Sequence, residues 1–236
     1  MDPATRRAGV TAPPGWLNEA SFRLFRLGTR LFLRVFFGLR VEGELPRTGP
    51  VVVAANHASF LDPLLVGAAS GRRVFFMMTE VVWRSPRLNW FYRWQRTLPL
   101  STRGANREAL RAARQILQRG AVVGIFPEGG ISRDGKLLLG SPGAVSLVLS
   151  EGAPIVPVGI VGAQRAMPFG APRPRLFSPI TIRFGQPITA AEFDAAASGD
   201  RRHRLQLATA RIMERIGALT GQESREQELR RLRAAD

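Results

Sequence analysis

Short apolar runs alternate with helical patterns along most of this chain, and that alternation restricts the fold more than any other feature. Runs at 51–55, 73–78, 98–100, 121–126, 154–160 and 180–184 read as strands. Segments at 62–70, 86–95, 105–119, 142–150 and 199–219 read as helices. Strands spaced by helices predict an α/β domain with a mainly parallel central sheet flanked by helices. In such sheets chemistry gathers at the carboxyl ends of the strands. The 236 residues suit one domain with appendages. The expected divisions are an N-terminal arm and helix over 1–40, a folded domain over 41–221 and a charged tail over 222–236.

Composition removes several functions. The chain has no cysteine, so disulfides, cysteine nucleophiles and cysteine metal sites are excluded. The two histidines, His57 and His203, are far apart, and no metal site is expected. The formal net charge of +16 predicts anionic company: phospholipid, a phosphorylated substrate, an acidic carrier protein or nucleic acid. Lys136 is the only lysine. Arginine's planar fork suits phosphate, and a GC-rich coding bias accounts for the preference equally well. Met1 to Thr11 lacks the apolar centre of a secretory signal. No stretch approaches the roughly 20 apolar residues of a membrane span.

Residues 16–39 carry a different pattern. Arg23, Arg26, Arg30 and Arg34 recur every three or four positions and line one helix face. Trp16, Leu17, Phe22, Leu24, Phe25, Leu27, Leu31, Phe32, Leu33, Val35, Phe36 and Phe37 take the rest. An arginine stripe beside so wide an apolar sector predicts an interfacial membrane helix. The competing expectation is an amphipathic helix packed on its own domain.

Four motifs bear on chemistry. The first, Asn56-His57-Ala58-Ser59-Phe60-Leu61-Asp62, follows the run Val51–Ala55. A histidine with an aspartate five positions on, at a strand end, forms a general-base site once a hydroxyl is supplied. Asp62 before Pro63 also reads as an N-cap followed by proline at N1, and a capping aspartate is rigid enough to orient an imidazole. The second runs from Arg103 through Asn106 and Arg107 to Glu108. Two arginines at a helix start oppose the helix dipole, and a bound phosphate resolves the conflict; an ordinary surface pair is the alternative. The third is Phe126-Pro127-Glu128-Gly129-Gly130-Ile131-Ser132-Arg133, whose glycines let backbone N–H groups approach a ligand. The fourth is Pro154-Ile155-Val156-Pro157-Val158-Gly159, where two prolines suggest an edge strand or a bend.

In this order and spacing the four motifs resemble those of the glycerolipid acyltransferase family, the 1-acylglycerol-3-phosphate acyltransferases and their relatives. That family's first block is Asn-His, four residues and Asp, matched by Asn56, His57 and Asp62. Arg103, Asn106 and Arg107 match its arginine-rich acceptor-binding block. Its third block usually reads Phe-Pro-Glu-Gly-Thr-Arg-Ser. Phe126, Pro127, Glu128, Gly129 and Ser132 match it, while Gly130 stands for threonine and Ile131 for arginine. Val156, Pro157 and Val158 match the apolar-Pro-apolar fourth block. The resemblance covers about residues 45–190.

The resemblance implies acyl transfer from a thioester, acyl-coenzyme A or acyl carrier protein, to the hydroxyl of a lysophospholipid such as 1-acylglycerol-3-phosphate. It implies no cofactor beyond that co-substrate. His57 would be the general base and Asp62 would fix its tautomer, with no acyl-enzyme. Arg103, Arg107 and Arg133 would hold the acceptor phosphate, Arg133 standing in for the arginine missing at Ile131. Glu128 would bind the acceptor hydroxyl or position an arginine. Backbone N–H groups near Gly129 or Val158–Gly159 are oxyanion candidates. Phe75, Phe76, Met77, Trp83, Trp90 and Phe91 are candidates for an acyl tunnel or for plain core. The expected location is the cytoplasmic face of a membrane, with phospholipid as partner and no nucleic acid. A different lysophospholipid or glycolipid acceptor is the alternative that the Ile131 departure keeps open. A thioesterase using the same pair, or a non-catalytic membrane- or nucleic-acid-binding protein, would be the rivals from other classes.

Overall fold

The computed structural model describes residues 15–101, 107–142, 145–146, 152–195 and 200–223. Seven strands form one sheet. They are β1 (Arg40–Glu42), β2 (Val51–Ala55), β3 (Val74–Thr79), β4 (Leu98–Leu100), β5 (Val122–Ile125), β6 (Ile155–Val161) and β7 (Thr181–Phe184), in the order β1-β7-β6-β2-β5-β3-β4. Every pairing is parallel except β6 with β7. The described helices are α1 (Gly15–Phe37), α2 (Asp62–Ala69), α3 (Glu80–Trp83), α4 (Asn89–Trp94), α5 (Arg107–Gln118), α6 (Ala163–Ala166), α7 (Ala190–Ala195) and α8 (Arg201–Thr220).

Strand β2 lies at the centre, buried throughout, and its period of two divides the core. Val51, Val53 and Ala55 face a cluster with Leu33 and Phe37 of α1 and Leu65 and Val66 of α2. Val52 and Ala54 face the opposite cluster, with Ala113 and Leu117 of α5 and Ile212, Met213 and Ile216 of α8. A strand covered on both faces reads as an unbroken apolar run. Helix α8 is bounded by its own chemistry: the Asp200 side chain accepts the His203 N–H at 2.8 Å, and Gly221 ends it at φ 72°.

Several expectations need correction. The helix expected over 86–95 is shortened to α4, and α3 just before it was not foreseen; Pro86 disfavours helical backbone at Ser85 and separates the two. Strand β1 and helix α7 were not foreseen; three and six residues carry too little periodicity. Strand β6 is no edge, since β2 and β7 flank it. Pro157 fits because it lies opposite Gly185, one residue beyond β7. Its carbonyl accepts the Gly185 N–H at 2.8 Å, and its missing donor falls where that ladder ends. Arm residues 1–14 and tail residues 224–236 lie outside the described residues, as does most of the expected helix 142–150.

Helix α1 packs on its own domain through one face and leaves another apolar face to solvent. Phe22, Leu33 and Phe37 are buried against the domain. Arg73, before β3, fastens the helix by an ion pair to Glu19 at 3.0 Å and stacks its guanidinium 4.2 Å from the Phe22 ring. Leu24, Leu27, Leu31 and Val35, spaced three and four apart, form a second apolar ridge that faces solvent.

Candidate active site

Strands β2 and β5 are neighbours, so the first and third motifs leave the sheet side by side at its carboxyl edge. The Asn56 amide continues the ladder past the end of β2. Its Nδ2 donates to the Ile160 carbonyl at 3.0 Å and its Oδ1 accepts the Ile160 N–H at 2.7 Å. Asn56 thereby sets the direction in which His57 leaves the sheet.

His57 Nδ1 lies 2.9 Å from Asp62 Oδ2. The same oxygen accepts the N–H groups of Ala58 and Ser59, each at 2.7 Å. Asp62 is therefore not the helix cap expected. It is the first residue of α2, and its side chain turns back onto the preceding loop. Asp62 is fully buried, and burial pushes its carboxyl upward. Hydrogen bonds from His57, Ser59 and Ala58 oppose that shift. Three donors converging on one oxygen support the carboxylate form. With Nδ1–H donated to Asp62, Nε2 of His57 is left as the acceptor nitrogen.

The His57 ring stacks on Phe126, centroids 4.0 Å apart, and Phe126 stacks in turn on Phe76 at 5.7 Å. Gly124 makes room for this column: a Cβ there would stand 2.5 Å from the Phe76 ring. The column was not foreseen from sequence, although the aromatic residue before Pro127 was its only local sign.

Glu128 binds the two motifs together. Its Oε1 accepts the His57 backbone N–H at 2.7 Å and its Oε2 accepts the Leu138 N–H at 2.8 Å. Burial pushes its carboxyl up to about 7, against the pull of the two N–H groups and with a further push from the Asp62 charge. Ser132, also buried, donates its N–H to the His57 carbonyl at 2.7 Å, and its hydroxyl bonds Asp134 at 2.9 Å. Ser59 donates to the Met167 carbonyl at 2.9 Å and accepts the Leu61 N–H, which commits its hydroxyl to the loop.

A cavity of about 1140 Å³ opens beside this pair. Its wall includes His57, Gly129 and Ile131, and behind them Phe76, Met77 and Phe91. Phe22 and Phe25 of α1 line it too, a contribution hidden in sequence because those residues sit 30 or more positions from His57. Phe75, Trp83 and Trp90 lie outside the wall. So do Arg107, exposed at the start of α5, and Arg133, whose guanidinium sits 5.2 Å above the Phe169 ring. Arg103 and Asn106 lie outside the described residues. The wall is thus mainly apolar, and Arg26 is its one arginine among the described residues.

The backbone donors proposed from sequence are already engaged. The Gly129 N–H bonds the Phe126 carbonyl at 3.1 Å. Val158 and Gly159 lie inside β6, laddered to β7 on one side, with Val158 also paired to β2 on the other. Among the described residues no group of histidine and carboxylate side chains could hold a metal ion.

Fold and site define an α/β protein carrying a buried-aspartate, half-buried-histidine pair in the wall of an apolar cavity. The family model described as Acyltransferase matches residues 38–161, which include both site loops, and the chain belongs to that acyltransferase family. It is similar to the chloroplastic 1-acyl-sn-glycerol-3-phosphate acyltransferase of Arabidopsis thaliana, 25% identical over 181 residues, 75% of this chain and 51% of that protein. It is also similar to the 1-acyl-sn-glycerol-3-phosphate acyltransferase of Limnanthes douglasii, 31% identical over 162 residues, 66% of this chain and 56% of that protein. The chain spans about half the length of the curated relatives it matches. The crystal structure of the 1-acyl-sn-glycerophosphate acyltransferase PlsC from Thermotoga maritima has the same fold, with a TM-score of 0.64 at 24% identity, over 91% of this chain and 87% of that one.

Proposed function

We propose that this protein transfers a fatty acyl group from acyl-coenzyme A or acyl carrier protein to the free hydroxyl of 1-acylglycerol-3-phosphate, making phosphatidic acid. The observation that carries the reading is the His57 Nδ1–Asp62 Oδ2 contact of 2.9 Å in the wall of a cavity of apolar character. His57 Nε2 takes the acceptor hydroxyl's proton as the oxygen attacks the thioester carbonyl. Asp62 holds the tautomer and stabilises the imidazolium. When the tetrahedral adduct collapses, the C–S bond breaks and the thiolate leaves with the proton returned by His57. The substrate hydroxyl is the nucleophile, so no acyl-enzyme forms. Ser59, the nearest hydroxyl in sequence, is spent on the Met167 carbonyl, which supports a direct transfer. Arg103, Arg107 and Arg133 hold the acceptor phosphate.

The enzyme works on the cytoplasmic face of a membrane as a peripheral or monotopic protein. Among the described residues no helix is long and apolar enough to cross a bilayer. The solvent-facing ridge of α1 beside its arginine row supports interfacial binding instead. One observation favours a second reading of the acceptor. Ile131, where the family usually has arginine, lines the cavity, which suits a lysophospholipid or glycolipid with less charge near that wall. Purified enzyme offered mixed lysolipids and both donors, with products read by mass spectrometry, tests both. Phosphatidic acid as the main product supports the first reading. A different acylated lipid supports the second, and free fatty acid alone overturns both.

A further inference from the structure

The segment between α6 and β7 is held firmly at its ends and presents aromatic side chains to solvent in between. Its near end is fixed by the Ser59 hydroxyl on the Met167 carbonyl at 2.9 Å and by the Arg175 N–H on the Ala166 carbonyl at 2.6 Å. Its far end is fixed to α1 by the Phe177 N–H on the Phe36 carbonyl at 2.6 Å. At the tip, the Ala171 N–H closes a β-turn on the Pro168 carbonyl at 3.0 Å, with Gly170 at φ 81° in the third position. That turn presents Phe169 to solvent, and its ring stacks on exposed Phe60 at 5.8 Å.

Phe177 stands out further. It is 75% exposed and its backbone has φ 60°, a region that bulky residues avoid at some energetic cost. A strained, exposed phenylalanine contributes little to the core and leaves its ring free for an apolar partner outside the chain. Its ring lies 6.4 Å from Phe36, which packs on exposed Phe32 at 4.7 Å. The apolar surface of the loop therefore continues onto α1. Arg173 and Arg175, both exposed, belong to the same loop, and Arg133 covers the Phe169 ring. Phe60 and Phe169 also line the cavity, so they form its rim.

We propose that the 166–177 loop is a second membrane-contact element, independent of the α1 ridge. Phe169, Phe60 and Phe177 enter the interface of an anionic bilayer while Arg173 and Arg175 meet lipid phosphates. The cavity rim then opens directly to the acyl-chain layer. Exposed aromatics interleaved with arginine fit a phospholipid surface, where rings sit at headgroup depth and cations at phosphate. This inference rests on the membrane reading of α1, and the test separates the two.

The chain has no cysteine, so single-cysteine variants report one position each. Phe169→Cys, Leu27→Cys on the α1 ridge and Glu214→Cys on α8 are labelled with an environment-sensitive fluorophore. Vesicles of equal parts phosphatidylcholine and phosphatidylglycerol are then added. The labels at 169 and 27 shift to the blue and brighten; the label at 214 does not. A response at 27 with none at 169 leaves α1 as membrane anchor and overturns the second element. Silence at both overturns the membrane reading and this inference with it. A shift at 169 that grows with protein concentration in the absence of vesicles marks a second copy of the chain on the rim and also overturns it. As an independent measure, Phe169→Glu lowers vesicle partitioning about tenfold, the loss of one buried aromatic; partitioning within about twofold of the parent chain overturns the inference.

Discussion

Glu128 accepts the backbone N–H of His57 at 2.7 Å and so ties the loop after β5 to the residue that bears the imidazole. With its second oxygen on the Leu138 N–H, the carboxylate has no oxygen without a backbone partner. We read Glu128 as a positioning residue and not as an acceptor ligand. Glutamine has one carbonyl oxygen and satisfies one of the two N–H groups, while its amide confronts the other. Glu128→Gln is expected to cost about 1–3 kcal/mol of stability. It should lower kcat about tenfold with the acceptor KM little changed. A raised acceptor KM at constant kcat would put Glu128 on the substrate instead.

Burial raises the Glu128 carboxyl to about 7 from an ordinary 4.5. Between pH about 4.5 and about 7 the folded chain therefore holds a proton that the unfolded chain has released. The contribution to stability is full below pH about 4.5 and is lost as pH rises through about 7. Asp62, also raised by burial, acts with the same sign. Urea midpoints measured from about pH 5 to about pH 8 should fall more steeply for the parent chain than for Glu128→Gln. Parallel slopes would show that Glu128 titrates normally.

His57→Ala should remove acyl transfer while the chain remains folded, since the ring is half-buried at a cavity wall. A loss of at least about a thousandfold is expected from removal of the base. Asp62→Asn should cost less, because the base remains but in the wrong tautomer. Activity of His57→Ala within tenfold of the parent would remove the general-base mechanism.

Arg133 lies outside the cavity wall, over Phe169, and can reach an acceptor headgroup only at the rim. Arg133→Ala should raise the acceptor KM about tenfold, the effect of one charge-assisted contact, with the donor KM little changed. Ile131→Arg should lower the KM for a phosphate-bearing acceptor. If neither variant moves the acceptor KM, phosphate is not what the site recognises.

The two faces of α1 separate packing from membrane contact. Leu33→Ala, at a site 2% exposed, should destabilise the fold by about 2–5 kcal/mol. The double change Leu27→Glu with Leu31→Glu alters residues 66% and 62% exposed and should leave the unfolding midpoint nearly unchanged. It should nevertheless abolish most binding to anionic vesicles. Unchanged sedimentation with vesicles would make the ridge an incidental surface.

The layered α/β architecture was legible in the sequence, because unbroken apolar strands and amphipathic helices are local patterns written in consecutive residues. So was the His57–Asp62 pair, which needs only five positions and one turn of chain. What the sequence could not show was everything that depends on distant segments meeting. Glu128 reads locally as a free acid at a turn, and only the pairing of β2 with β5 brings it to the His57 N–H. Asn56 finds Ile160, 104 positions away, only once β6 lies beside β2. Pro157 argues for an edge strand until the short reach of β7 shows why a central strand accepts it. Helix α1 looked like a choice between core and membrane. Tertiary packing divided its apolar residues between two ridges, one buried on the sheet and one left to solvent, because a helix has more than one face and a single domain covers only part of it.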